Sequence, residues 1–231
     1  AKLNKPLFFA FNKLDNDQSK FDSVLDDLKN QYGNKVTAFQ YPVNPGNNFN
    51  QIIDILSMKL LTFKNSSKPE ISDIPVNELS KAESLRNELI ESVAETDEEL
   101  MSIYFEEGSL THEQFTQGLR KAFISRNIFP VFCVSSKNQV GISSLIDFVY
   151  DYAPAPNELE IAIAEGSVKV ACDTNSKVSL FIYKMFSDAK LGDMSYFKVK
   201  SRKLQSGLDL IIESKGSNER FGGLYVVNGK K

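Results

Sequence analysis

The chain has few of the residues that build metal, redox or disulfide sites. Its 231 residues include two cysteines, one histidine and no tryptophan. Cys133 and Cys172 lie too far apart in sequence for a Cys-x-x-Cys pair or a zinc knuckle, and His112 alone leaves a zinc site without its usual ligands. This scarcity excludes a disulfide-stapled scaffold and is typical of the reducing cytosol, so we predict a cytoplasmic protein.

Long apolar runs and a strong net charge are also absent. No apolar stretch approaches the roughly 18 residues of a membrane-spanning helix, so we expect no membrane contact. The 27 Lys and Arg are balanced by 30 Asp and Glu, for a net charge of −3. This balance excludes nonspecific, charge-driven binding to nucleic acid. The 42% hydrophobic content is that of an ordinary globular protein with one large or two smaller domains.

Short apolar runs and amphipathic helices alternate through the first two thirds of the chain. Residues 6–11 and 128–134 are compact apolar runs without polar alternation, which indicates parallel strands covered on both faces. A further strand is predicted at 36–43. The helical spacing of apolar residues predicts five helices, at about 21–33, 77–96, 97–106, 111–126 and 141–152.

Three details of this pattern are specific enough to check. The apolar positions of 49–63 fit either one buried helix or two short strands, and 65–75 is predicted to be a polar loop. Thr111 and Gln114 have the spacing of a capping box at a helix start. In the last predicted helix, the residues expected to face inward are Ile142, Leu145, Ile146 and Val149.

The character of the chain changes near residues 153–158, where Pro154 and Pro156 end the last helix. Beyond this boundary, short β-type runs are separated by turns that contain glycine. They predict a separate and mostly antiparallel β unit. The predicted strands are 178–182, 196–199, 208–212 and 224–227.

The motif most indicative of function follows the first apolar strand directly, and it reads Asn12-Lys13-Leu14-Asp15. A carboxylate such as Asp15 can accept hydrogen bonds from both the N1 proton and the 2-amino group of guanine, a donor pair that adenine lacks. The Asn12 amide can serve the N7/O6 edge and tie loops together, while the Lys13 stem lies along the base. Ligands bind at the carboxyl ends of strands in doubly wound sheets. The alternative interpretation is a polar turn.

A second polar loop follows the other compact apolar strand, and it reads Ser135-Ser136-Lys137. A guanine site needs a small residue here so that a backbone N–H can approach O6, and Ser136 is small enough. Two such loops after two parallel strands together predict a guanine-binding site. Its residues are Asn12, Lys13, Asp15, Ser135, Ser136 and Lys137.

The two loops resemble the fourth and fifth nucleotide-binding motifs of translational GTPases. The gap of about 120 residues between them is similar to that of the elongation factor G family, where a subdomain is inserted. Further segments of the chain also resemble that family, namely 89–95, 97–101, 107–111, 151–156 and 195–199. The resemblance implies an α/β fold: residues 1–156 are the carboxyl-terminal half of a P-loop-type GTPase domain with an inserted α/β subdomain at about 40–127. Residues 157–231 are then the first part of an antiparallel β-barrel, cut short.

The chain differs from that family mainly in the motifs that bind the phosphates of the nucleotide. The sequence contains no Gly-x4-Gly-Lys-Ser/Thr and no Asp-x-x-Gly, motifs that precede Asn12 in the family. We therefore expect an internal piece of a longer protein that reads the base of GTP or GDP but does not hydrolyse GTP alone, with Mg²⁺ held by residues absent here. Ser136 stands where Ala is usual, and Ser201-Arg202-Lys203 where the family tends to Ser-Gly. The first change is mild, and the second suggests a divergent paralogue.

The resemblance also implies partners. They are the ribosome, the ribosomal stalk protein through the 40–127 insertion, and ribosomal RNA through the barrel, in a factor that promotes translocation. We expect the piece itself to be monomeric. Two alternatives stay open: another translational GTPase, such as a recycling or rescue factor, and a non-enzymatic ribosome- or stalk-binding module. The acidic face of the helix at 77–96 fits either a solvated surface or a stalk contact, and it comprises Glu78, Glu83, Glu88 and Glu91.

Overall fold

The computed structural model describes residues 5–64, 68–158, 161–163, 168–170, 172–188, 192–212 and 215–226, with the backbone alone at 161–163, 168–170 and 188. Its contacts divide the chain into two units, Ala1–Ala153 and Pro154–Lys231. None of the helices in these ranges is long and apolar enough to cross a lipid bilayer.

The first unit is mixed α/β, with seven strands, five α-helices and one short 3₁₀ helix (Gly33–Lys35) in its described residues. The strands are β1 (Phe9–Phe11), β2 (Val36–Ala38), β3 (Gln40–Pro42), β4 (Gln51–Asp54), β5 (Lys59–Thr62), β6 (Glu70–Ser72) and β7 (Phe129–Cys133). The helices are α1 (Phe21–Tyr32), α2 (Val76–Ala94), α3 (Glu98–Glu107), α4 (His112–Ile124) and α5 (Ile142–Tyr152). All five predicted helices are therefore confirmed to within a few residues.

Three strands form a parallel sheet in the order β1-β7-β2. The two compact apolar runs of the sequence supply β1 and β7, and the central β7 is buried along most of its length because both faces are covered. The register places Phe11 beside Cys133. Because β1 and β7 run in the same direction, the loops that follow Phe11 and Cys133 leave the sheet at one edge.

Residues 40–124 lie between β2 and β7 and form an antiparallel sheet, β3-β4-β5-β6, together with α2, α3 and α4. The predicted strand 36–43 is split at Phe39, whose N–H donates to Val131 of the parallel sheet and whose carbonyl accepts from Ile55, the residue directly after β4. The run 49–63 forms two strands, not a helix. The predicted loop 65–75 is wrong in part, since β6 pairs with β5 within it.

One buried cluster joins both sheets to the helices. At its centre the Phe148 ring on α5 lies 4.9 Å from Phe132 and 5.6 Å from Phe39, between ring centroids. Phe148 therefore sets the rotation of α5, and the prediction that Ile146 and Val149 face inward is wrong. Both are exposed, at 61% and 40%. The capping box of Thr111 and Gln114 at the start of α4 is confirmed.

The second unit consists, in its described residues, of three separate two-stranded antiparallel sheets, and no closed barrel forms among them. The antiparallel pairing agrees with the prediction. Residues 224–226 of the predicted last strand have no regular secondary structure, and Val227 lies outside the described residues. The pairs are β8 (Ile161–Ile163) with β9 (Val168–Val170), β10 (Ser179–Asp188) with β11 (Gly192–Ser201), and β12 (Asp209–Ile212) with β13 (Ser217–Arg220).

Candidate functional site

The two polar loops predicted to act together meet at the carboxyl edge of the parallel sheet. Val134 N donates to Phe11 O at 2.9 Å, which continues the pairing of β1 and β7 by one residue. Beyond this point the chains turn outward as loops 12–17 and 135–140. The structure thus brings together all six residues that the sequence singles out, although about 120 residues separate the two loops.

Asp15 and Ser135 form the firmest contact between the loops. The buried Ser135 hydroxyl donates to Asp15 Oδ1 at 2.6 Å and accepts from Asn138 N at 3.2 Å. The hydrogen bond from Ser135 lowers the pKa of Asp15 below its usual value, against the opposing effect of desolvation, and nearby Lys137 and Lys13 lower it further. Asp15 is therefore an ionised acceptor at neutral pH.

Asn12 joins the loops through its side-chain oxygen. Asn12 Oδ1 accepts from Lys13 N at 2.8 Å and from Ser136 N at 3.0 Å. Two N–H donors at one atom fix the orientation of the amide. The Asn12 Nδ2 donor makes no hydrogen bond to another described residue, so it is available to a ligand.

The Ser136 N–H donates to Asn12 Oδ1. The sequence instead predicts that a backbone N–H at this small residue approaches O6 of guanine. To contact a ligand, Ser136 has to share or exchange that bond. The next N–H, that of Lys137, donates to no other residue in the described ranges. Within the described residues, Lys137 N and Gln139 N are therefore the backbone donors of this loop without a partner, and Lys137 N directly follows the donor that Asn12 accepts.

Lys13 adopts a left-handed backbone conformation, with φ of 66°. A positive φ is uncommon for a residue other than glycine. It is accommodated here because Asn16 N donates to Lys13 O at 3.0 Å and closes a turn. The exposed side chains of Lys13 and Lys137 flank Asp15, which gives the edge a mixed charge suited to a polar, hydrogen-bonding ligand.

Gly141 supports the second loop and was not singled out by the sequence reasoning. Loop 136–139 is closed by reciprocal backbone bonds between Ser135 and Val140, at 3.0 and 3.1 Å. Gly141 follows with φ of 74°, and a Cβ at this position would lie 2.1 Å from the carbonyl oxygen of Cys133. A glycine directly before a helix was the available signal, but the close approach is a tertiary contact that sequence does not reveal.

The described residues contain no group of three or more His, Cys, Asp or Glu that could hold a metal ion. The hydrogen-bonding groups at the sheet edge, one carboxylate acceptor with amide and backbone donors beside it, are compatible with a polar base. They do not fit Mg²⁺, because Asp15 is the only carboxylate among the six residues of the predicted site.

Comparison with known proteins defines the fold and no more. No family model matches the chain. A crystal structure of a protein from Thermus thermophilus matches with a TM-score of 0.79 and 23% sequence identity. The match covers 100% of this chain and 32% of the other, so the chain spans about a third of the length of that protein.

Proposed function

We propose that the first unit binds the guanine base of GTP or GDP and that the chain is part of a translational GTPase resembling elongation factor G. The observation that carries the proposal is the ionised Asp15, hydrogen-bonded to Ser135 and flanked by Asn12, at the edge of the sheet where β1 and β7 end. This is the arrangement that a base with two adjacent donors requires.

In the proposed complex, each group of the site has one role toward the guanine base. Asp15 accepts from guanine N1–H and from the 2-amino group, Asn12 Nδ2 donates to the N7/O6 edge, and Lys137 N donates to O6. The Lys13 stem packs along the base. Adenine presents an unprotonated N1 to Asp15, so the carboxylate is left without its donors, and hydrogen bonds to charged groups are costly to lose.

The phosphates and Mg²⁺ of the nucleotide would be held by residues outside this sequence, which contains no phosphate-binding loop. In such a GTPase, Mg²⁺ would neutralise charge on the transferred phosphate. The 231 residues then supply base recognition, and we expect them to release no phosphate from GTP on their own.

A stalk-protein contact through the 40–127 insertion is part of the proposal, but most glutamates on the acidic face of α2 already contact residues of the same unit. Three of its four glutamates are paired within the unit, which leaves the exposed Glu83 and its surroundings for a partner. The pairs are Glu78 with the Tyr41 hydroxyl, Glu88 with Lys29, and Glu91 with the Tyr104 hydroxyl.

The β10–β11 hairpin supports contact with RNA. Lys200 Nζ lies 5.8 Å from the centre of the exposed Phe181 ring, and Lys184 Nζ lies 5.6 Å from that of Tyr196. A register shift in β10 leaves Tyr183 unpaired, with its ring 6.4 Å from Tyr196. Aromatic rings interleaved with cations are the means by which proteins stack unpaired bases and neutralise phosphates. A recycling or rescue factor, or a non-enzymatic ribosome-binding module, would use the same face.

Ligand-observed NMR on the 231-residue chain tests base recognition without the phosphates. We expect saturation transfer to guanosine at millimolar concentration, weaker transfer to inosine, which lacks the 2-amino group, and none to adenosine above the level of a control protein. Equal transfer to guanosine and adenosine would refute base reading and would favour the non-enzymatic module.

The lowered pKa of Asp15 predicts how guanosine binding depends on pH. The ionised carboxylate is the binding form, so affinity is present above the folded-state pKa and is lost as pH falls through it, below the ordinary 3.8. Guanosine affinity should therefore be constant from about pH 8 to about pH 5. Ser135→Ala removes the main cause of the shift and should move the acid-side loss to higher pH. A wild-type midpoint near pH 6 in the same NMR titration would contradict this.

A further inference from the structure

A loop of the antiparallel sheet contacts loop 12–17, which carries Asp15. This loop, residues 43–50, joins β3 to β4 and belongs to the segment inserted between β2 and β7. Gly46 N donates to Leu14 O at 2.8 Å, at the residue directly before Asp15. The inserted segment therefore contacts the backbone that carries the base-reading carboxylate.

Asp17 holds the tip of loop 43–50 with both carboxylate oxygens. Asn47 N donates to Asp17 Oδ1 at 2.9 Å, and Asn47 Nδ2 donates to Asp17 Oδ2 at 2.5 Å. Gly46 has φ of 115°, and a Cβ there would lie 2.8 Å from Asp17 Oδ1. Glycine at 46 favours the bidentate contact, because a side chain there would displace the Asp17 carboxylate and would strain the backbone at this positive φ.

Loop 43–50 is held in one shape by its own hydrogen bonds. Asn44 Oδ1 accepts from Asn50 N at 3.3 Å and from Gln51 N at 3.0 Å, while Asn44 Nδ2 donates to Asn48 O at 2.9 Å. Phe49 is buried in the core, 2% exposed. Loop 43–50 is therefore anchored in the core through Phe49 and attached to loop 12–17 through Gly46 and Asn47.

We propose that Asp17 and Asn47 form a positioning clamp, through which the antiparallel sheet β3–β6 holds Leu14 and Asp15 in place and sets the affinity for the guanine base. The effect on nucleotide rests on the proposed function, whereas the effect on the loop does not. Because coupling between two sites is reciprocal, a partner that shifts loop 43–50 changes guanine affinity, and guanine changes the affinity for that partner.

The clamp is tested by a double-mutant cycle of Asp17→Ala and Asn47→Ala, with amide hydrogen exchange of the ligand-free chain as the first readout. Asp17→Ala should raise exchange at Asn16 and Gly46, whose N–H groups are hydrogen-bonded, by about fivefold. Asn47→Ala should raise it less, because the backbone N–H of residue 47 can still donate to Asp17. The double variant should match Asp17→Ala, which already removes both bonds. The loss of a clamp made of exposed hydrogen bonds should also weaken guanosine binding about three- to tenfold.

Two further variants serve as controls for this test. Asp26→Ala, on the exposed face of α1, is the matched control and should leave exchange at Asn16 and Gly46 unchanged. Asp17→Asn should be intermediate because it keeps one acceptor. Unchanged exchange in Asp17→Ala, or additive effects in the double variant, would overturn the clamp. If wild type binds no guanosine, base reading fails, and the exchange data still decide whether the clamp exists.

Discussion

Asp15→Asn should transfer the preference of the chain from guanosine to xanthosine. The amide that replaces the carboxylate offers one acceptor for N1–H and one donor, which opposes the 2-amino group of guanine but pairs with the 2-oxo group of xanthine. Since the bonds to a charged acceptor are the strong ones, guanosine should weaken on the order of a hundredfold relative to xanthosine. Competition between the two nucleosides in ligand-observed NMR measures this ratio.

This substitution isolates recognition from folding. The asparagine oxygen can still accept from Ser135, so the bond between the two loops is retained. The matched control is Asp147→Asn, an exposed carboxylate on α5 away from the loops, which should leave both affinities as in wild type. An unchanged guanosine preference in a folded Asp15→Asn variant would remove Asp15 from the role of base reader.

Gly141→Ala should destabilise the first unit more than the same change at Gly108. At position 141 a Cβ would lie 2.1 Å from the Cys133 carbonyl oxygen and 2.9 Å from Ile52 Cδ1, so the backbone of β7 or α5 must move. The left-handed φ adds its own cost. We expect the free energy of unfolding to fall by about 2–4 kcal/mol, since clashes with backbone are not relieved by a rotamer change.

Gly108→Ala separates the two causes of that loss. Gly108 ends α3 with φ of 71°, close to the 74° of Gly141, but a Cβ there meets nothing within 4 Å. It should cost only the backbone strain, about 1 kcal/mol. Urea unfolding of both variants measures the two losses in the free energy of unfolding. Equal losses would show that the close approach of the Cβ at position 141 to the Cys133 carbonyl does not destabilise the unit. Guanosine binding should weaken in Gly141→Ala alone, because loop 135–140 has to shift.

The elements that could be predicted from sequence are those fixed by local patterns. The apolar runs at 6–11 and 128–134 indicated two parallel strands, and the polar residues after them indicated loops that do meet. The capping box and the helical spacings are likewise local. A local pattern of this kind predicts whether an element is a helix or a strand. Because loops at the carboxyl ends of parallel strands lie at one edge of the sheet, it also indicates which loops converge.

The elements that could not be predicted depend on distant contacts. Phe39 splits one apolar run between two sheets because its N–H and its carbonyl find partners in Val131 and Ile55. Ile146 is exposed because the larger Phe148 ring occupies the core beside it. The β13 strand, Ser217–Arg220, is polar and exposed on every residue, so only its pairing with β12 identifies it.

The same reasoning applies within the candidate site. Asn12, Asp15 and Ser135 could be identified because their chemistry and their place after a strand are visible in sequence. Asp17 could not, since its partner Asn47 is 30 residues away and beside another sheet. Residues proposed to touch the ligand are thus found from chemistry, whereas residues that position them are found from structure.

The most direct measurement of base reading is a residue-resolved amide NMR titration of the wild-type chain with guanosine, with adenosine as the matched ligand. We expect saturable shifts confined to residues 12–16 and 135–139, smaller shifts with inosine, and none with adenosine. Shifts of equal size with both purines, or shifts that map to the second unit and leave Asp15 and Ser136 unmoved, would contradict base reading at this edge of the sheet.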